Sequence, residues 1–118
     1  RLDVKTKNLV KSIQLEGLRK LGKPSLFSQR YYDEKIDEII YIDIVASLYE
    51  RNSLLPIIEE MSHDIFIPLT VGGGIRTLEN AKEALYSGAD KVAINTAAIK
   101  NPDLISQVAD TLGAQCMV

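Results

Sequence analysis

Apolar and polar positions follow two periods along this 118-residue chain. Four short runs rich in Ile and Val are too short for helices and read as buried strands: "EIIYIDIV" (38–45), "IFIPLTV" (65–71), "KVAINTA" (91–97) and "AQCMV" (114–118). Between them the apolar residues recur at helical spacing. Residues 53–62 place Leu54, Leu55, Ile57, Ile58 and Met61 on one face, and 78–87 do the same with Leu78, Ala81, Ala84 and Leu85. Residues 102–112 follow with Leu104, Ile105, Val108 and Leu112. Thr77 is expected to cap the helix at 78 and Gly88 to end it. Asn101 is expected to cap the next, with Pro102 in its first position and Gly113 at its end. Upstream, "KPSLFSQRYYDEKI" (23–36) predicts a helix opened near Pro24, while "RLDV" and "NLVKSI" read as the end of a strand and a short extension after it.

Strands recur about every 25 residues, the length of one βα unit. The pattern is βαβαβαβα plus the start of one more strand, which implies a parallel sheet with right-handed crossovers. Two architectures fit: an open doubly wound sheet, or half of a (βα)8 barrel, whose complete form needs about 250 residues. No linker or low-complexity tract divides the chain, so residues 1–118 are expected to form a single domain. The chain starts at Arg1 without Met and stops at Val118 inside an apolar run, so both ends are expected to be cuts.

Composition narrows the chemistry. Net charge is −2 with pI near 5.4, which gives no basic field for nucleic acid. The apolar runs are too short to span a bilayer, and the single cysteine, Cys116, suits a reducing, cytoplasmic compartment. One His and one Cys make a structural zinc site untenable, and no cofactor motif is present.

In parallel βα folds, sites gather at the C-terminal ends of strands. Polar residues stand there strand after strand: Asp3, then Asp43, then Thr70 with Gly72, Gly73 and Gly74, then Asn95 and Thr96. Glycines after a parallel strand turn backbone N–H groups towards an oxyanion, and the next helix adds its positive end. "VGGGIRT" is neither a Walker motif nor GxGxxG. Its functional reading is phosphate binding, helped by Asn95 and Thr96; its bland reading is a tight turn with no ligand. From local sequence alone, Asp3 reads more readily as a surface or capping carboxylate and Lys11 as a solvated lysine, while Asp43 is equally an acceptor for backbone N–H groups or a functional carboxylate. Tyr31, Tyr32 and Tyr41 read as packing residues, His63 as solvated, and the pair Asp90–Lys91 as a salt-bridging loop.

The combination is more specific than its parts. "LDVK", "LVKSIQLEGLRKLGKP", "DEIIYIDIVAS", "IPLTVGGGIRT", "GADKVAINTAAIKNPDLI" and "GAQCMV" follow in this order at tight spacing. Together they resemble the N-terminal half of the cyclase subunit of imidazole glycerol phosphate synthase, over essentially the whole chain. That family builds a phosphate-binding (βα)8 barrel from two similar halves, takes ammonia from a glutaminase docked at its N-terminal face, and closes an imidazole ring.

The resemblance implies roles residue by residue. Asp3 matches the general acid/base on the first strand, Lys11 the lysine of the mobile loop after it, and Asp43 a second-strand carboxylate near the chemistry. Gly74, Asn95 and Thr96 match one phosphate site. Glu38 and Lys91 match the charged ring at the ammonia entrance, and Asp90 a carboxylate facing the glutaminase. No cofactor is implied.

The second catalytic aspartate and the second phosphate site are expected beyond Val118, and the arginine of the entrance ring before Arg1. The fragment alone is therefore expected to lack cyclase activity. Two copies are expected to pair through open sheet edges. Lys23 in "LGKP", Val45 and "SLYERNS" depart from the commonest cyclase pattern. They resemble a cyclase-like group that amidates surface sugars with its own glutaminase.

Overall fold

The computed structural model describes residues 1–5, 8–13, 17–43 and 54–118. Ile44, Val45, Ser53 and the rest of "SLYERNS" lie outside them. Six strands, β1 (Leu2–Lys5), β2 (Asn8–Ile13), β3 (Gly17–Gly22), β4 (Ile39–Asp43), β5 (Leu69–Gly72) and β6 (Lys91–Ala93), make one sheet in the order β3-β2-β1-β4-β5-β6. The helices are α1 (Pro24–Asp33), α2 (Leu54–Asp64), α3 (Leu78–Tyr86), α4 (Thr96–Lys100) and α5 (Asp103–Leu112).

β1, β4, β5 and β6 pair in parallel and in chain order. A doubly wound sheet reverses its strand order at a switch point; these four strands do not. Of the two architectures that the sequence leaves open, the fold is therefore the α/β half-barrel.

Strand register explains which face holds the core. Leu2, Tyr41, Val71 and Val92 stand side by side across the four parallel strands. All four are buried, at 3% exposure or less. On that face they meet Ile58 and Met61 of α2, Ala81 and Ala84 of α3, and Leu104 and Val108 of α5. Each fully buried aliphatic side chain of this kind contributes about 1.5–3 kcal/mol. Successive strand residues point to opposite faces, so the neighbouring rows face away from the helices. There Ile40 is 38% exposed.

The helices form as expected, and Thr77 caps α3 by accepting a hydrogen bond from the Asn80 N–H at 3.1 Å. Five local expectations need correction. "NLVKSI" is no mere extension: it is the first arm of an antiparallel hairpin completed by "GLRKLG". β5 starts at Leu69, because Pro68 has no N–H for a ladder and Phe66 is turned out to solvent. β6 ends at Ala93: the backbone leaves the extended region at Asn95, and Thr96 opens the short α4. α5 starts at Asp103, with Pro102 at the cap and the Asn101 carbonyl, not its side chain, accepting from the Leu104 N–H. "AQCMV" is mostly a 3-10 turn over Ala114–Cys116, after which Met117 bridges in parallel to Val92. There the Val118 N–H donates to the Val92 carbonyl at 2.8 Å, and the Ile94 N–H donates to Val118 at 3.0 Å, so one more parallel strand begins. No helix among the described residues is long and apolar enough to cross a membrane.

Candidate functional site

The sequence candidates fall at two opposite ends of the parallel strands. At the C-terminal ends, Gly72 closes β5, Gly73 and Gly74 follow it, and Asn95–Thr96 follows β6, its neighbour in the sheet. Asp3 lies on β1, two strands away from β5.

The glycine loop is shaped by close approach. Gly73 and Gly74 have φ of +89° and +71°, a region that disfavours other residues. A Cβ on Gly73 would collide with the Asp43 carbonyl oxygen. The loop thus packs its bare Cα onto the end of β4. Beyond it, Arg76 donates its backbone N–H to the Asn80 side-chain oxygen at 3.1 Å, while Thr77 caps α3. Asn80 is 6% exposed. It spends the Arg76 N–H within the protein and joins the loop to the first turn of α3.

Asn95 is exposed, and its side chain makes no capping bond to α4; its carbonyl accepts from Ala98 and Ile99 at 3.0 and 3.1 Å. Thr96, also exposed, is the first residue of that helix.

The two aspartates do not share a face. Register sets Asp3 opposite Ile42 and Val4 opposite Asp43. Asp3 belongs to the uncovered face, where its carboxylate accepts from Arg1 Nε at 2.7 Å. Asp43 is buried, two residues after Tyr41 on the same side of β4. Burial pushes the Tyr41 phenol well above its ordinary value, and the Asp43 charge raises it further. The Tyr41 hydroxyl has no hydrogen-bond partner among the described residues. Lys11 lies in β2 at the register of Arg19, within the hairpin beside β1.

At the N-terminal ends, Lys91 Nζ stands 3.6 Å from the Glu38 carboxylate. Asp90 is held by a two-way contact with Leu69: its carboxylate accepts from the Leu69 N–H at 2.8 Å, and its own N–H donates to the Leu69 carbonyl at 2.9 Å. An open cavity of about 410 Å³ lies beside it, lined by Met61, Ile65, Phe66, Leu69 and Gly88 among others. Phe66 is 81% exposed at its rim and meets Tyr32 edge-on, with ring centroids 6.4 Å apart. This cavity is remote from the glycine loop and belongs to the opposite end.

The sequence reading passed over Arg1, Ile42 and Asn80. Thr77 and Asn80 stand in the spacing of a capping box, which signals a side chain reaching back over the helix start. Ile42 is visible only once strand register is known.

A family model described as "Histidine biosynthesis protein" matches residues 1–118. Among curated proteins, the chain is 54% identical over its whole length to "Imidazole glycerol phosphate synthase subunit HisF" of Legionella pneumophila, of which it covers 56%. It is 45% identical over 99% of its length to the protein of that name from Natranaerobius thermophilus, and 46% to that from Pyrococcus furiosus, covering 47% of each. The chain thus spans about half the length of these relatives.

Proposed function

The chain belongs to the histidine biosynthesis protein family, and from that premise we propose that it forms the first half of an ammonia-using cyclase. In this reading it supplies one phosphate site and one acid/base, and does not turn over alone. The observation that carries it is the junction at the C-terminal strand ends. Gly73 is pressed against β4 and followed by a capped helix, with Asn95 and Thr96 just beyond the end of the adjoining strand, β6. A phosphate there meets backbone N–H groups and the positive end of α3. Asp3, on the uncovered face, moves the protons that ring closure requires. Lys11, in the hairpin beside β1, is the lysine that serves the ligand. Asp43, buried at the end of β4 where Gly73 packs on its backbone, is the second carboxylate near the chemistry.

The other end takes the nitrogen donor. Glu38 and Lys91 flank its entrance, and Asp90 with the neighbouring cavity faces a glutaminase subunit. The site is cytoplasmic, uses no metal or cofactor, and residues 1–118 act as one domain.

The test is ammonia-dependent formation of imidazole glycerol phosphate by a chain that carries these residues at the relatives' length. Asp3→Asn is expected to lower kcat by about 100-fold or more. The 118 residues alone are expected to give none, and robust turnover by them would refute the reading. Turnover absent at full length, in a folded protein that binds phosphate, would favour the sugar-amidating group that "SLYERNS" resembles.

A second reading concerns assembly. Ile40 stands 38% exposed on the face that the helices leave bare. A second copy, docked face to face, covers it and brings eight parallel strands into one particle, with the β2–β3 hairpin of each copy flanking β1. Light scattering over a concentration series distinguishes a particle of twice 13.1 kDa from a monomer.

A further inference from the structure

We propose that Ile42 is the floor of the ligand site, and that it selects a phosphomonoester whose body presents a flat or apolar face. The proposal rests on the phosphate reading above and adds what lies between the phosphate and Asp3. Register places Asp3, Ile42, Gly72 and Ala93 in one row across β1, β4, β5 and β6. Neighbouring strands are about 4.8 Å apart, so Asp3 and Gly72 are about 10 Å apart with Ile42 midway.

Ile42 does more than occupy the middle. A Cβ built on Gly72 would fall 2.8 Å from Ile42 Cδ1 and 3.0 Å from Ala93 Cβ. The isoleucine therefore leans over β5 and fills the space that a side chain at position 72 would take. Position 72 is glycine for packing as much as for the ligand. The result is a methyl-covered surface, half-buried, from Asp3 to the edge of the glycine loop.

A ligand that holds its phosphate at Gly73 and Gly74 and reaches Asp3 has to cross this surface. A flat or apolar body gains contact and sheds water there. A hydroxyl or charge pressed against the same methyls loses its water and finds no partner. Inorganic phosphate ends before Ile42 and is indifferent to it. The floor thus discriminates by the body of the ligand, not by its anion.

Two probes separate these effects: inorganic phosphate and phenyl phosphate, each titrated into the purified chain. The wild type is expected to bind both, phenyl phosphate more tightly. Methyl NMR is expected to show the Ile42 δ1 resonance moving with phenyl phosphate and not with inorganic phosphate, which needs no variant. Ile42→Thr keeps a β-branched residue in the strand. It is expected to weaken phenyl phosphate about fivefold while leaving inorganic phosphate within about twofold. Ile42→Val is expected to keep most of the preference.

An Ile42 methyl that ignores phenyl phosphate, or an Ile42→Thr that weakens both probes equally, overturns the floor and leaves the phosphate site standing. A wild type that binds neither probe overturns the phosphate reading, and the floor with it.

Discussion

The polar residues described at the two ends of the parallel strands are used in opposite ways. At the N-terminal ends they are tied to the fold: Lys91 pairs with Glu38, and Asp90 brackets Leu69 through carboxylate and N–H together. At the C-terminal ends the backbone is bent into left-handed turns at Gly73 and Gly74, the Asn95 side chain leaves α4 uncapped, and Thr96 is exposed. One end is cross-linked; the other is presented. A parallel sheet makes this asymmetry natural, since the C-terminal ends of β5 and β6 lead on to the starts of α3 and α4.

The largest expected effect is at the presented end. Gly73→Ala forces a Cβ onto the Asp43 backbone at a φ of +89°. It is expected to cost about 3 kcal/mol in urea unfolding and to abolish phosphate binding. A variant that unfolds and binds like the wild type would show that the close approach is unimportant.

Thr77→Ala and Asp90→Ala come next, and together they sharpen the contrast. Each removes a side-chain oxygen that accepts from a backbone N–H. Each is expected to cost about 1 kcal/mol, measured the same way. Only Thr77→Ala, which frays the start of α3, is expected to weaken phosphate binding. Equal losses of binding in both would erase the distinction between the ends.

Glu38→Gln is smaller still. Its pair with Lys91 is half open to solvent, with side-chain exposures of 52% and 35%. The expected change is under about 0.5 kcal/mol and falls further in salt. A calorimetric loss several times larger would mean that the pair is a structural clamp.

Tyr41→Phe is expected to be nearly silent at neutral pH, because it removes a buried hydroxyl without a partner among the described residues. It matters in alkali. The unfolded chain releases the phenolic proton near 10.0, and the folded chain holds it to higher pH. Above pH 10.0 the unfolded state therefore binds fewer protons, and stability falls as pH rises. Tyr41→Phe should flatten that fall in urea midpoints measured from pH 9 upwards, to about pH 11. An unchanged slope would place the loss on other groups.

The parallel strands and their helices were legible because period and punctuation agreed, as at Thr77 and Gly88 around α3. Periodicity alone left the doubly wound sheet and the half-barrel open, because it is blind to strand order; the motif resemblance implied the half-barrel, and the strand order bears that out. β3 was missed because "GLRKLG" has no strict alternation, and its partner β2 supplies the ladder that its own pattern does not announce. Pro68 was a written warning against a strand over 65–71. At the site, the glycines, Asn95 and Thr96 could be named from position alone. That Asp3 and Asp43 face opposite ways could not, since a one-residue offset between neighbouring strands turns a side chain to the other face. Ile42 was hidden for the same reason.

The most direct measurement is an amide NMR titration of the chain with inorganic phosphate. Saturable shifts are expected at Gly73, Gly74, Asn95 and Thr96, with Asp90 and Lys91 unmoved. No saturable shift at the glycine loop, or shifts gathered around Lys91, would contradict a phosphate site at the C-terminal strand ends.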